Sequence, residues 1–136
     1  MTQQEMPEKI SSPSLAHEPR ISVARIDALC DQLKNDRIAV SKAEIDLSQS
    51  KATIEKTKAE IVGQGYADGT IDGSNKQTRD AQEARLLAGS ERLAQARLAV
   101  REREIALAEY RGQLAATEER ISLYRSFLYS TARMPR

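Results

Sequence analysis

Three side chains near the middle of the chain have the types and spacing of a calcium-binding loop. Asp68, Thr70 and Asp72 are two residues apart and precede Gly73, as the first oxygen ligands of such loops do. The twelfth position, which must supply a bidentate carboxylate, is Arg79. Because a guanidinium offers no oxygen ligand to a cation, the pattern predicts a tight turn and no metal site.

The remaining reactive residue types do not combine into a catalytic pattern. The glycines within residues 63–73 lack the Gly-Lys-Ser/Thr ending of a phosphate loop and follow no strand pattern. Cys30 is the only cysteine, and nothing but His17 is available to pair with it. We therefore expect Cys30 to be a packing residue in a reducing compartment, with no catalytic residue, no cofactor and no enzyme activity.

Composition and charge narrow the class of partner. The chain has 136 residues, a net charge of +1 and only 4% aromatic residues, so its overall field does not predict a nucleic-acid or membrane partner. Few large side chains and abundant Ala, Arg, Glu and Leu favour helices packed side by side over a compact core. The first residues have no signal-peptide pattern and no window resembles a membrane span, so a cytoplasmic protein is expected.

Residues 1–20 differ from the rest of the chain. Pro7, Pro13 and Pro19 lie among serines, a composition that opposes both helix and core formation. The segment is predicted to be a disordered tail, or a peptide that becomes ordered on a partner through Ile10 and Leu15.

A seven-residue apolar spacing dominates the two stretches that flank the glycines. In the first stretch the row is Ile26, Leu33, Val40, Leu47, Ile54 and Ile61; in the second it is Leu86, Leu93, Val100, Leu107, Leu114, Ile121 and Leu128. Such rows are typical of coiled-coil seams. They predict an all-α fold, a long antiparallel two-helix coiled-coil hairpin with a flexible N-terminal tail. Arm one covers about residues 21–67, the tip 63–75 and arm two about 75–131, with a short C-terminal end at 132–136.

The matching rows also predict a register for the two arms. Folding the chain about residues 73–74 places Val40 opposite Leu107 and aligns the other levels in the same way, which predicts a rod. Tyr66 and Ile71 are the large apolar residues of the tip and are expected to plug the end of the seam.

Turn and capping residues fill the tip. Gly69 is suited to the left-handed conformation that ends a helix, and Gly73 follows Asp72 in a turn sequence. Ser74, with Gln77 three residues later, predicts a capping box at the start of arm two, and Asn75 is the alternative cap. Helix two is expected to start within one residue of Ser74.

The tip from Gly69 to Ala81 contains the pattern Gly-x-Ile-Asp-Gly-x-Asn-x-x-x-Arg. It resembles the turn that joins two long helices in small helical-hairpin proteins of tailed phages, prophages and bacteria. The resemblance implies a hairpin architecture and favours a structural or accessory protein of a phage or prophage, located in the cytoplasm or in the phage particle.

A second apolar spacing predicts self-association. Ile38 and Ile45 are seven residues apart in arm one, as Leu98 and Ile105 are in arm two, and neither pair belongs to the seam rows. These four residues are interpreted as one dimerisation face near the middle of the arms. The alternative is that they are isolated exposed residues, which are common on protein surfaces.

The open end of the arms combines aromatic and basic side chains, as protein-interaction surfaces often do. The residues concerned are Arg120, Tyr124, Arg125, Phe127, Leu128, Tyr129 and Arg133. We expect them to dock another protein. One alternative is a nucleic-acid-associated accessory protein that uses Arg120, Arg125, Arg133 and Arg136. Another is that Tyr124 and Leu128 complete the seam while Phe127 and Tyr129 pack on the tail. The sequence thus predicts a non-enzymatic structural or adaptor protein that binds itself, another protein, or both, and no membrane.

Overall fold

Long stretches rich in Ala, Leu, Glu, Lys and Arg form the helices of this protein. The computed structural model describes residues 22–132, and the N-terminal tail, Arg133 and Arg136 lie outside this range. Within it the chain is all-helical: α1 is Val23–Ala67, α2 is Lys76–Ala88 and α3 is Glu91–Ala132. The two long helices, α1 and α3, pack against each other. Within residues 22–132, neither has an apolar stretch long enough to cross a membrane.

The sequence predicts one continuous helix for the second arm, but the structure divides this arm into two helices. It is divided by Gly89 and Ser90, which separate α2 from α3. The N–H of Ser90 donates to the carbonyl oxygen of Leu87, while the N–H of Leu93 donates to Ser90 Oγ over 3.1 Å. A serine that accepts from the third helical N–H is an N-cap, so this dipeptide ends one helix and begins the next.

The described residues form two units. The loop unit is Asn35–Ala115, and the terminal unit comprises residues 22–34 and 116–132. In the loop unit, Val40 and Ala43 of α1 form a buried cluster with Leu107 of α3, and Leu47 and Leu114 pack against it. In the terminal unit, Leu29 and Thr117 are buried.

Burial follows the seven-residue rows closely. Every row position from Ile26 to Ile61 in α1, and from Leu86 to Ile121 in α2 and α3, is buried or partly buried. The row ends there, because Leu128 is 45% exposed and does not continue the seam as expected. Cys30 is exposed, so the expectation that it is a packing residue is wrong.

Candidate functional site

Residues 68–75, which connect α1 to α2, are held by a cluster of side-chain hydrogen bonds. Gly69 has the expected left-handed backbone, with φ of +83°, and the N–H of Ile71 donates to the carbonyl oxygen of Gly65 over 3.0 Å. This return of the chain places Ile71 inside, with 3% of its surface exposed, so it fills the position predicted for it.

The side chain of Gln82 holds the second half of this loop. Its Oε1 accepts from the N–H groups of Asp72 and Gly73, at 3.1 and 2.9 Å, and its Nε2 donates to Asp72 Oδ1 over 2.8 Å. One amide therefore satisfies two backbone donors and one carboxylate oxygen of a segment nine and ten residues earlier. The sequence does not single out Gln82, because the pattern around it indicates a helical residue and not its tertiary partner.

Position 73 requires glycine because the backbone there lies very close to α2. Its backbone angle does not require glycine. A Cβ atom at this position would lie 2.7 Å from Thr78 Cγ2 and 3.0 Å from the backbone nitrogen of Arg79. The loop therefore runs against the first turn of α2 with no room for a side chain.

The cap of α2 is Asn75, the alternative in the sequence analysis, and not Ser74. The Oδ1 atom of Asn75 accepts from the N–H of Thr78 over 2.8 Å, and α2 begins at Lys76, two residues after Ser74. Ser74 is exposed in the loop and makes no capping bond to a described residue. The structure therefore places Asn75, and not Ser74, at the position for which the two residues compete.

The carboxylates that resembled calcium ligands are both engaged within the loop. Thr70 donates to Asp68 Oδ1 from its hydroxyl, at 2.6 Å, and from its N–H, at 3.0 Å. The hydroxyl hydrogen bond and then the backbone one lower the pKa of Asp68, because both favour the charged form. Asp72 accepts from Gln82, and within residues 22–132 no three His, Cys, Asp or Glu side chains are grouped to hold a metal ion.

Tyr66 does not plug the seam as expected but lies 46% exposed. Its Oη donates to Glu83 Oε1 over 2.8 Å, which ties the end of α1 to α2. The hydrogen bond to this carboxylate raises the pKa of Tyr66, since removing the phenolic proton would leave two negative oxygens in contact.

The four residues predicted to form one self-association face are all about half exposed, between 50% and 57%. The structure does not bring them together. At 100° per residue, Ile38 and Ile45 lie about half a turn from the buried Val40 and Ala43, on the side of α1 that faces away from α3. Leu98 and Ile105 lie likewise on the side of α3 that faces away from α1. We call these pairs the α1 stripe (Ile38 and Ile45) and the α3 stripe (Leu98 and Ile105).

The predicted docking residues near the end of α3 also divide between two sides of the helix. Phe127, Tyr124 and Arg120 lie within a quarter turn of one another, whereas Arg125 and Tyr129 lie about half a turn from Phe127. Arg25 of α1 lies over the ring of Tyr124, with its guanidinium carbon 5.6 Å from the ring centre, in a cation–π contact.

Leu123 extends this surface and was not predicted. It is 63% exposed and lies one turn before Phe127, which is also exposed. The seven-residue row does not include Leu123, which explains why it was overlooked; its apolar character beside Phe127 was the available signal. We call Arg120, Leu123, Tyr124, Phe127 and Leu128 the terminal surface.

Comparison of the chain with protein-family models, with curated proteins and with solved structures found no match.

We predict that replacing Gln82 by Ala opens the loop. The N–H groups of Asp72 and Gly73 lose their acceptor, and a hydrogen bond of this kind contributes about 0.5–1.5 kcal/mol. Amide hydrogen exchange at these two positions should therefore accelerate by about two- to tenfold. Gln77→Ala on the same helix is the matched control, because Gln77 is exposed and makes none of these bonds. Equal exchange in the two variants would contradict the role of Gln82.

We also predict that Glu83→Gln lowers the pKa of Tyr66. A raised pKa stabilises the fold below the ordinary tyrosine value near 10, and that contribution is lost as the pH rises through the folded value. The ultraviolet absorbance of tyrosinate measures the titration, and subtraction of a Tyr66→Phe titration isolates Tyr66 from the other three tyrosines. An unchanged Tyr66 midpoint in Glu83→Gln would show that the carboxylate does not control this phenol.

Proposed function

We propose that this chain is a non-enzymatic structural or adaptor protein, built as an antiparallel helical hairpin. The order of the contacts between α1 and α3 supports the direction. Glu44 pairs with Arg111 at 3.5 Å, Asp46 with Arg103 at 3.4 Å, and Glu60 with Arg92. As the residue number rises along α1, the number of the partner falls along α3, which is the order expected of antiparallel helices.

The burial pattern favours a register displaced by about three residues from the one proposed above. In that register Ala43 lies opposite Leu107, whose cluster it shares, and Thr57 lies opposite Leu93. Leu93 and Thr57 are 0% and 4% exposed. A large residue then faces a small one at each of these levels, which allows two helices to approach closely without a void.

Pairs of introduced cysteines, in a Cys30→Ser background, test whether α1 and α3 are antiparallel. Ala43 and Ala106 line one groove between the helices, so cysteines at these positions should form an intramolecular disulfide on mild oxidation. Cysteines at Ser50, seven residues after Ala43, and at Ala99, seven residues before Ala106, should also form a disulfide. Cysteines at Ser50 and Gln113 are the matched control, since they would meet only if the helices were parallel. A bond in the control pair, with none between 50 and 99, would contradict the antiparallel arrangement.

The function itself is inferred from how polar and apolar groups are distributed. The carboxylates and amides of the loop are engaged in internal hydrogen bonds, whereas the α1 stripe, the α3 stripe and the terminal surface leave large apolar side chains exposed. Exposed apolar side chains that lie next to one another, as Leu123 and Phe127 do, are typical of protein-binding surfaces. This distribution is the observation on which the proposal of self-association and protein docking depends.

The terminal surface is the proposed site for docking a second protein. Phe127 and Leu123 supply an apolar centre, Tyr124 is held in place by Arg25, and the exposed Arg120 lies at the margin. Aromatic residues and arginine are common in binding hot spots, the residues that contribute most of the binding free energy of an interface. By the resemblance of residues 69–81, the partner would be a component of a phage or prophage system, in the cytoplasm or in the particle.

Substitutions on opposite sides of α3 test this docking surface. Partners captured from a lysate of the source organism should be lost with the L123S/F127S variant and retained with Tyr129→Ser, its control on the other side of the helix. Identical sets of captured partners for the two variants would contradict docking at the terminal surface.

The rival function is tested with duplex DNA and RNA at low salt. Binding that falls steeply as salt is added would favour a nucleic-acid-associated protein that uses Arg120 and Arg125.

A further inference from the structure

The α1 stripe and the α3 stripe have the same dimensions. Each consists of two large aliphatic residues one heptad apart, which is about 10.5 Å along a helix. They lie on opposite outer sides of the loop unit, so one copy of the chain cannot cover its own stripes. A second copy is the occupant that offers a surface of matching length and chemistry, as the proposed self-association requires.

The charged residues beside the stripes differ between the two helices. Ser41 and Lys42 lie between Ile38 and Ile45, whereas Arg101 and Glu102 lie between Leu98 and Ile105. Lys42, Arg101 and Glu102 are exposed. The ion pairs among the described residues are formed by other side chains, so these three charges are available to a partner.

Charge disfavours several of the ways in which two copies could meet. When like helices pair antiparallel, residues at the same position face each other across the twofold axis. Two α1 stripes would then place Lys42 against Lys42, and two α3 stripes would place Glu102 against Glu102. An α1 stripe on a parallel α3 stripe would place Lys42 beside Arg101. Like charges in contact oppose association.

Two arrangements bring opposite charges together. Parallel α3 stripes would pair Arg101 with Glu102 but would leave the α1 stripe of each copy uncovered. An α1 stripe on an antiparallel α3 stripe pairs Lys42 of one copy with Glu102 of the next. It also places Ile38 against Ile105 and Ile45 against Leu98, so that all four apolar residues are covered.

We propose that copies of this chain assemble side by side, with the α1 stripe of each copy packed antiparallel on the α3 stripe of the next. The contact joins two different surfaces, so each added copy presents a new free stripe. Heterologous contacts of this kind produce an open series, or a ring if the rotation between copies closes. The inference rests on the proposed self-association and specifies the surfaces that carry it.

Complementation between two full-length variants tests the inference. I38Q/I45Q removes the α1 stripe and L98Q/I105Q removes the α3 stripe; glutamine keeps the helix propensity and adds no charge. In sedimentation velocity, the unaltered chain should form species larger than a dimer as its concentration rises. Each variant alone should be monomeric, and their mixture should form a 1:1 pair and nothing larger. Circular dichroism checks that both variants remain helical.

Other sedimentation results would contradict either the proposed pairing of stripes or self-association itself. A dimer of I38Q/I45Q alone would establish pairing between α3 stripes, and a dimer of L98Q/I105Q alone would establish pairing between α1 stripes; either would overturn the inference. Association retained in full by both variants would overturn it too, but would leave self-association standing through another surface. A monomeric unaltered chain at all concentrations would contradict self-association itself.

A charge exchange provides a second measurement on the same contact. Lys42→Glu should weaken association by roughly two- to fivefold, the usual effect of one exposed ion pair. Adding Glu102→Lys to the same chain should restore it, because the pair is then reversed and intact. If the double variant is weaker than the single one, the two residues do not meet.

Discussion

The contact between α1 and α3 is the interaction on which the rest of the structure depends. In the loop unit it is made by a narrow row of aliphatic residues, with Val40, Ala43 and Leu107 at its buried centre. A helix that packs along one such row buries only a part of its circumference. The outer sides of both helices therefore remain in solvent, and whatever apolar residues they carry are available to other molecules. The narrow seam and the exposed stripes are two consequences of the same geometry.

The loop between α1 and α2 is held by polar contacts because few apolar residues are available there. Ile71 is the buried apolar anchor, and the other restraints are hydrogen bonds made by Gln82, Asn75 and Thr70. Each of these bonds closes over a short stretch of chain, so the entropy lost in forming it is small. The loop is therefore defined by residues 68–75 together with Gln82 of α2, and Asn75 caps the helix that follows. Of the oxygen atoms that resembled metal ligands in the sequence, those of Asp68 and Asp72 accept hydrogen bonds in this network, and the Thr70 hydroxyl donates one.

The seven-residue spacing allowed the all-α fold and the full or partial burial of the row residues up to Ile121 to be predicted, because a helix repeats its buried side at nearly that interval. Features that depend on tertiary contact were missed. The choice of Asn75 over Ser74 and the role of Gln82 depend on how the loop folds back onto α2. The break at Gly89 and Ser90 could have been predicted, since glycine followed by serine is a common sequence for a helix end and a new cap. The two stripes were grouped wrongly because residue spacing describes one helix and does not show which way the neighbouring helix lies.

The size of the proposed contact between copies limits how it can act. Two aliphatic residues and one charge from each side form a much smaller surface than the roughly 800 Å² per partner of a stable interface. A single contact is therefore weak, and it would be made and broken readily at low concentration. In an open series each added copy makes one further contact of the same strength, so the length of the series depends on the concentration of the chain. Under the proposed function, a partner that bound several copies through their terminal surfaces would raise the local concentration of the chain and so favour contact between the stripes. Such a partner, more than the strength of one contact, would then determine where and when copies assemble.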